Sequence, residues 1–261
     1  MLTTILKYDA KNILRSKWII IYTILFFVIT EGLFHLSGTS AKVHISLMNI
    51  MLITIPLVSI VFGAMHIYSS REFTELLLSQ PVRRKSVFLS SFLSINCALA
   101  GAFVLGSGLP LIFHTIHNTT QCINSLLLLA NGALITIIYT GFAFIIATAV
   151  DEKARGFGLI LLVWISTSIL YDAILLLLLF LFRDYPTDYP ALILSFLNPI
   201  DLSRISLSLV LDQSALMGYT GALYRSLYGS GAGIFLSLGG LIVWCTIPFL
   251  WARSIFLRKD Y

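Results

Sequence analysis

A chain of 261 residues with 58% hydrophobic and only 11% charged side chains stands far from soluble proteins, in which about a quarter of residues are charged. This composition excludes a water-soluble globular protein. No hydrophilic block is long enough to build its own core, so a single membrane domain over residues 1–261 is expected, and the formal charge of +5 bears on topology before nucleic acid.

Residues 1–17 place Leu2, Ile5, Leu6, Ala10, Ile13 and Leu14 on one helical face, with Lys7, Lys11 and Arg15 elsewhere. The pattern predicts an interfacial helix with its lysines toward lipid headgroups. A cleavable signal is not expected, because the stretch before the first apolar run is long and contains Asp9. Six apolar segments then follow, at about 18–36, 45–68, 87–113, 123–150, 156–182 and 233–251, each long enough for roughly 30 Å of hydrocarbon. An even number of spans puts both ends on one side. With the amino end in the cytoplasm, 13 of the 17 Lys and Arg lie inside and only Lys42, Arg183, Arg204 and Arg225 outside, which fixes the orientation by the positive-inside rule.

The first span carries Glu31 and His35 and the fifth Asp172. A carboxylate at membrane depth costs about 2.5–3.5 kcal/mol on insertion scales, so each needs a partner. Counted along their helices, both acids fall in the outer half. With Tyr171 they are expected either to form one polar patch or to snorkel and bond neighbouring helices separately.

The most polar interruption is the loop 69–86, SSREFTELLLSQPVRRKS. Ser69 and Glu72 have capping-box spacing, Phe73, Leu76 and Leu77 share a face, Pro81 stops the helix, and Arg83, Arg84 and Lys85 follow. The expectation is a short amphipathic helix showing its charged side to another protein. The loop Asp151-Glu152-Lys153-Ala154-Arg155 lies on the same side and is either a second contact or a solvated charge run.

After the fifth span, residues 183–190 are turn-rich and aromatic, suited to the outer boundary. Asn198-Pro199-Ile200-Asp201 then reads as a helix start with Asn as cap, Pro at the first position and Asp at the positive end of the dipole. An apolar stripe follows and ends near Asp212. Residues 183–232 are therefore expected to be a structured extracytoplasmic segment, partly in the interface.

Chemistry is sparse. Cys97, Cys122 and Cys245 follow no metal or redox spacing and suggest packing, and His35, His44, His66, His114 and His117 with the methionines do not converge as a closed metal site would require. There is no Gly-Lys pair for a phosphate loop, no Gly-x-Ser-Gly, and no His-Glu-x-x-His. Neither a catalytic nor a metal site is expected.

The order of parts, together with Arg71-Glu72 and Leu76-Leu77-Leu78-Ser79-Gln80-Pro81-Val82-Arg83-Arg84, resembles the ABC-2 class of ABC transporter permeases. That resemblance implies an all-α membrane fold with six spans, an amphipathic amino-terminal helix and a coupling helix in the first loop that docks on an ATPase. Arg71, Glu72 and Glu75 would be its polar side, Phe73, Leu76 and Leu77 its anchors, and Pro81, Arg83 and Arg84 its end. It also implies a noncatalytic subunit that binds no cofactor itself, ATP and Mg²⁺ residing on the ATPase, and pairing with a second permease copy. A narrower resemblance lies in residues 197–204 and 214–222, which are similar to permeases of the transporter that helps assemble the copper centres of nitrous oxide reductase. It implies a NosF-like ATPase inside, a NosD-like periplasmic partner outside, and a place in the bacterial inner membrane. Asn198, Pro199, Asp201, Arg204 and Asp212 are then candidate contacts for the outer partner. Export of a lipid, peptide or drug is the alternative within transport. An intramembrane enzyme would require Glu31, His35 and Asp172 to converge, and a passive scaffold would bind partners without altering ATP hydrolysis.

Overall fold

A computed structural model describes residues 7, 9, 11, 13, 15–37, 39–182, 193–211 and 219–259, the side chains of 219–230 excepted. Among these the chain is helical, without a strand. The long elements are α1 (Lys17–Ser37), α2 (Ser40–Ser69), α4 (Arg84–Thr115), α5 (Thr119–Ala149), α6 (Lys153–Leu181) and α8 (Tyr219–Arg258). The short α3 (Arg71–Leu78) joins α2 to α4, and α7 (Pro199–Val210) lies between α6 and α8. The six long helices are apolar and long enough to cross a membrane, so this is a multi-pass membrane protein.

Helices α2, α4 and α5 form the interior, while α1, α6 and the spanning part of α8 keep most of their surface outside. Phe26, Phe88, Phe103 and Tyr139 are fully buried, with edge-on ring pairs such as Phe26–Phe103 at 5.0 Å. In lipid, helix association depends on such close packing and on hydrogen bonds between helices, since burial away from water gives no drive there. One such bond is Thr140 Oγ1 donating to Asn96 Oδ1 at 2.6 Å across α5 and α4. Cys97 and Cys122 are exposed rather than packed inside, a departure from the role composition suggested.

At the amino end, residues 7, 9, 11 and 13 are helical, with Lys7 and Lys11 exposed and Ile13 buried. The rest of the expected interfacial helix lies outside the described residues.

The segment after α6 departs most from expectation. Residues 193–211 do not lie on an outer surface: they dip into the bundle and come back out. Asn198 Nδ2 donates to Thr167 O (2.9 Å), Ser203 Oγ to Asn131 Oδ1 (3.2 Å), and Trp244 Nε1 to Phe196 O (2.8 Å). Thr167 lies roughly 21 Å along α6 from Lys153, about half-way up the span. Non-helical backbone is tolerated at such depth only where protein satisfies its polar groups. Trp244 supplies one donor, and the Tyr171 hydroxyl, donating to Leu194 O, supplies another. Gly240 on α8 makes room: a Cβ there would meet Leu202 Cδ1 at 3.0 Å and Phe196 Cε1 at 3.1 Å.

The same contact explains a break in α6. Residues Ser166–Leu170 form a widened π turn in which the Tyr171 N–H bonds Ser166 O. Such bulges perturb the regular ladder and free carbonyls for other donors, and the Thr167 carbonyl here takes Asn198 as its side-chain partner.

Candidate functional site

The loop 69–86 is where the sequence concentrates its candidate residues, and the helix it predicts is α3. Its start differs from the expected capping box. Ser69 still belongs to α2, and the cap position is Ser70, whose side chain does not cap α3. Both hydroxyls turn back instead, Ser69 Oγ donating to Met65 O (2.7 Å) and Ser70 Oγ to His66 O (2.8 Å). With a single residue between them, α2 feeds almost directly into α3, so movement of one is passed to the other. The helix ends at Leu78, before Pro81, because Ser79 and Gln80 already turn the chain.

The exposed face of α3 is mixed rather than purely charged. Glu72 and Glu75 are exposed, and so are Phe73 (39%) and Leu76 (66%). Of the residues expected to anchor the helix, Phe73 and Leu76 are therefore exposed, while Leu77 keeps only part of its surface open. Leu78, with Val82, packs against the core, while Leu77 is only half-buried. On an eight-residue helix, 100° per residue puts Arg71, Thr74 and Leu78 inward and Glu72 and Leu76 outward.

Arg71 faces the bundle and closes a clamp. Its Nη2 donates to Asp151 Oδ1 at 2.8 Å and its Nε to Glu75 Oε1 at 3.2 Å. The same Asp151 oxygen accepts from Lys259 Nζ at 2.6 Å, and Lys259 also donates to Thr148 O at 2.5 Å. Arg84, at the first turn of α4, donates to Lys259 O at 3.0 Å. Tyr68 Oη donates to Val150 O at 3.0 Å, with Gly156 directly beneath its ring, where a Cβ would collide with Tyr68. Lys259 first, and Arg71 second, hold the Asp151 carboxyl below the ordinary carboxylate value. One exposed carboxylate thus ties α3, the α5–α6 connection and the end of α8 together. A cavity of about 30 Å³ remains under α3, lined by Tyr68, Arg71, Thr74, Thr148 and Lys259, so the helix is held by polar contacts more than by tight packing.

From the sequence Lys259 is only an inner-side positive charge and Asp151 only part of an inner loop that is either a second partner contact or a solvated charge run. Glu152 and Arg155 of that loop do pair with each other at 2.7 Å. Arg83 and Lys85 are exposed beside Pro81, and Arg84 is engaged as above.

The intramembrane acids do not converge. Glu31 meets His114 Nε2 at 3.2 Å and His35 Nε2 at 3.4 Å, and the His114 ring stacks on Phe34. Asp172 pairs with Arg204 at 2.8 Å, and Asp201 meets the same Arg204 nitrogen at 3.1 Å. The two acids thus belong to separate clusters with different partners, the second of the two arrangements the sequence left open, and Glu31, His35 and Asp172 do not form one patch. Among the described residues no group of three or more His, Cys, Asp or Glu is placed to hold a metal ion.

Three of the candidate outer-partner residues are corrected as well. Asn198 (1% exposed), Pro199 and Asp201 (7%) are buried in the bundle, and Arg204 turns to Asp172 and Asp201. Asp212 lies outside the described residues. The predicted helix start does form: Asn198 Oδ1 accepts from Ile200 N at 3.1 Å, Pro199 opens the first turn and Asp201 lies in it.

A family model described as "ABC-2 family transporter protein" matches residues 3–261. The chain belongs to the ABC-2 family. As an ABC-2 protein it is the permease subunit of an ABC transporter, and ATP hydrolysis resides on a separate subunit. Two similar relatives carry the name "Probable ABC transporter permease protein NosY". The one from Stutzerimonas stutzeri is 26% identical over 285 residues, covering 98% of this chain and 97% of that protein. The one from Pseudomonas aeruginosa (strain PAO1) is 24% identical over 276 residues, covering 98% of each. Within this ABC-2 permease, the α3 region is a small, partly exposed helix joined through Asp151 to the α5–α6 connection and to the end of α8.

Proposed function

We propose that α3 is the coupling helix of this permease, docking through Glu72, Phe73, Glu75 and Leu76 into a cleft of an ABC ATPase on the cytoplasmic side. The observation that carries the reading is the Arg71–Asp151–Lys259 clamp, which joins α3 to the α5–α6 connection and to the end of α8. A push on α3 is then felt directly by α2, α6 and α8. ATP binding and hydrolysis on the partner do the work, and the permease passes it on as motion of its spans without chemistry of its own.

Both termini lie in the cytoplasm and the protein sits in the bacterial inner membrane, an orientation supported by the distribution of Lys and Arg. It pairs with a second copy of itself. The printed names of the two relatives and the likeness in residues 197–204 and 214–222 support service in maturation of the copper centres of nitrous oxide reductase, with a NosF-like ATPase and a NosD-like periplasmic protein. With Asn198, Pro199 and Asp201 buried, the outer partner contacts other residues of this chain.

Co-expression with the ATPase tests the docking face. Glu72→Lys combined with Leu76→Glu is expected to abolish co-purification while leaving thermal unfolding of the permease unchanged. Unchanged co-purification and ATP turnover would refute the assignment of α3.

A further inference from the structure

An apolar groove of about 430 Å³ runs between α1 and α2, at the end of the bundle that carries the clamp. Its walls include Trp18, Tyr22 and Leu25 of α1 and Leu57, Val61 and Met65 of α2. Trp18 to Leu25 spans roughly 10 Å and Leu57 to Met65 roughly 12 Å. The groove therefore runs through most of one leaflet of a hydrocarbon core about 30 Å thick.

Two further observations say what fits there. Lys17 immediately precedes Trp18 at the mouth, and Lys7, Lys11, Arg15 and Lys17 are all exposed, with Asp9 as the one acid among them. None of these cations is in an ion pair with another described residue. Tyr22 lines the groove, but its hydroxyl is fully buried, so the groove surface is apolar along its length. A cationic rim with an apolar channel beyond it matches phosphate and acyl chain in that order.

We propose that this groove binds an anionic glycerophospholipid such as phosphatidylglycerol, its phosphate at Arg15 and Lys17 and an acyl chain between α1 and α2. On the positive-inside orientation the lipid comes from the inner leaflet, whose anionic surface already concentrates at basic flanks. The lipid wedges α1 against the helix that feeds α3. The groove is independent of the docking face, so the proposal stands or falls without the coupling assignment.

The test uses the full chain in liposomes with a phosphatidylglycerol carrying a photoreactive diazirine on its acyl tail, followed by digestion and mass mapping. Label is expected to concentrate in residues 18–25 and 57–65, well above the lipid-facing row Leu176–Phe180. Arg15→Gln with Lys17→Gln, both at exposed positions, is expected to lower labelling in the groove by on the order of tenfold and leave that row unchanged. A phosphatidylcholine probe should label the groove several-fold less. Even labelling of all exposed apolar helices, or groove labelling indifferent to both charge and headgroup, would overturn the proposal. So would efficient cross-linking of Val61→Cys to a second copy of the chain by a short bismaleimide, which would show protein in the groove instead.

Discussion

Two of the polar clusters that tie helices together are built on opposite plans. At the clamp, Asp151 is 68% exposed and gathers Arg71 and Lys259 over a small cavity. Around Asn198 the groups are buried, they satisfy backbone at mid-span, and Gly240 lets two chain segments approach closely. Exposed ion pairs are screened and individually weak, so they can be remade as helices shift. Hydrogen bonds in a low-dielectric interior are costly to leave unmade, so they fix one arrangement. The difference places compliance at the end that carries α3, the proposed coupling helix, and rigidity where α7 re-enters.

Substitutions should separate the two regions in order of cost. Asn198→Ala removes both the cap of α7 and the donor to Thr167 O. A cap costs about 0.5–2 kcal/mol and an orphaned buried carbonyl about 1–3 kcal/mol. A loss near 3 kcal/mol is expected, read as a lower thermal unfolding midpoint of the purified permease. A loss below about 1 kcal/mol would mean that the re-entrant segment is not held as described.

Gly156→Ala and Gly240→Ala each insert a methyl where a neighbour already stands, and should cost about 1–3 kcal/mol. They differ in readout. Gly156→Ala pushes Tyr68 off the Val150 carbonyl and is expected to lower ATP turnover by the complex as well as stability. Gly240→Ala should affect stability first. Equal effects of the two on turnover would erase the contrast between the regions.

Asp151→Asn should change stability least, yet reduce stimulation of the ATPase by the permease, because the shared negative charge is lost. Its pH dependence follows from the sign of the shift. The folded state holds this carboxyl below its unfolded value of about 3.9, so its contribution is present above pH 4 and lost as pH falls through the lower, folded value. Coupling through the clamp is therefore expected to be flat from pH 5 to 8. A fall within that window that vanishes in Asp151→Asn would contradict the assignment.

Much of this architecture was legible in the sequence because lipid imposes simple demands. Runs of apolar residues had to be helices, and Lys and Arg had to gather at one end. The helix start at Asn198-Pro199 was also readable, since capping depends on local residue types. Where that helix sits was not. Its stripe of Leu202, Ile205 and Leu209 suits an interface as well as a protein interior, and only Thr167, Asn131 and Trp244, far off in sequence, decide between them. The orientation of α3 was not readable for a related reason. Phe73, Leu76 and Leu77 form a plausible anchor on a wheel, but the helix is oriented by Arg71 reaching a residue 80 positions away. The pairing of Glu31 with His114 and of Asp172 with Arg204 is equally long-range.

The most direct measurement is a photocrosslinking amino acid placed at position 76, on the exposed face of α3, in membranes that contain the permease and its ATPase. Coupling through α3 predicts one dominant product, the permease joined to the ATPase, retained in Asp151→Asn. Crosslinks to lipid or to the permease itself, with the ATPase bound but unlabelled, would contradict it.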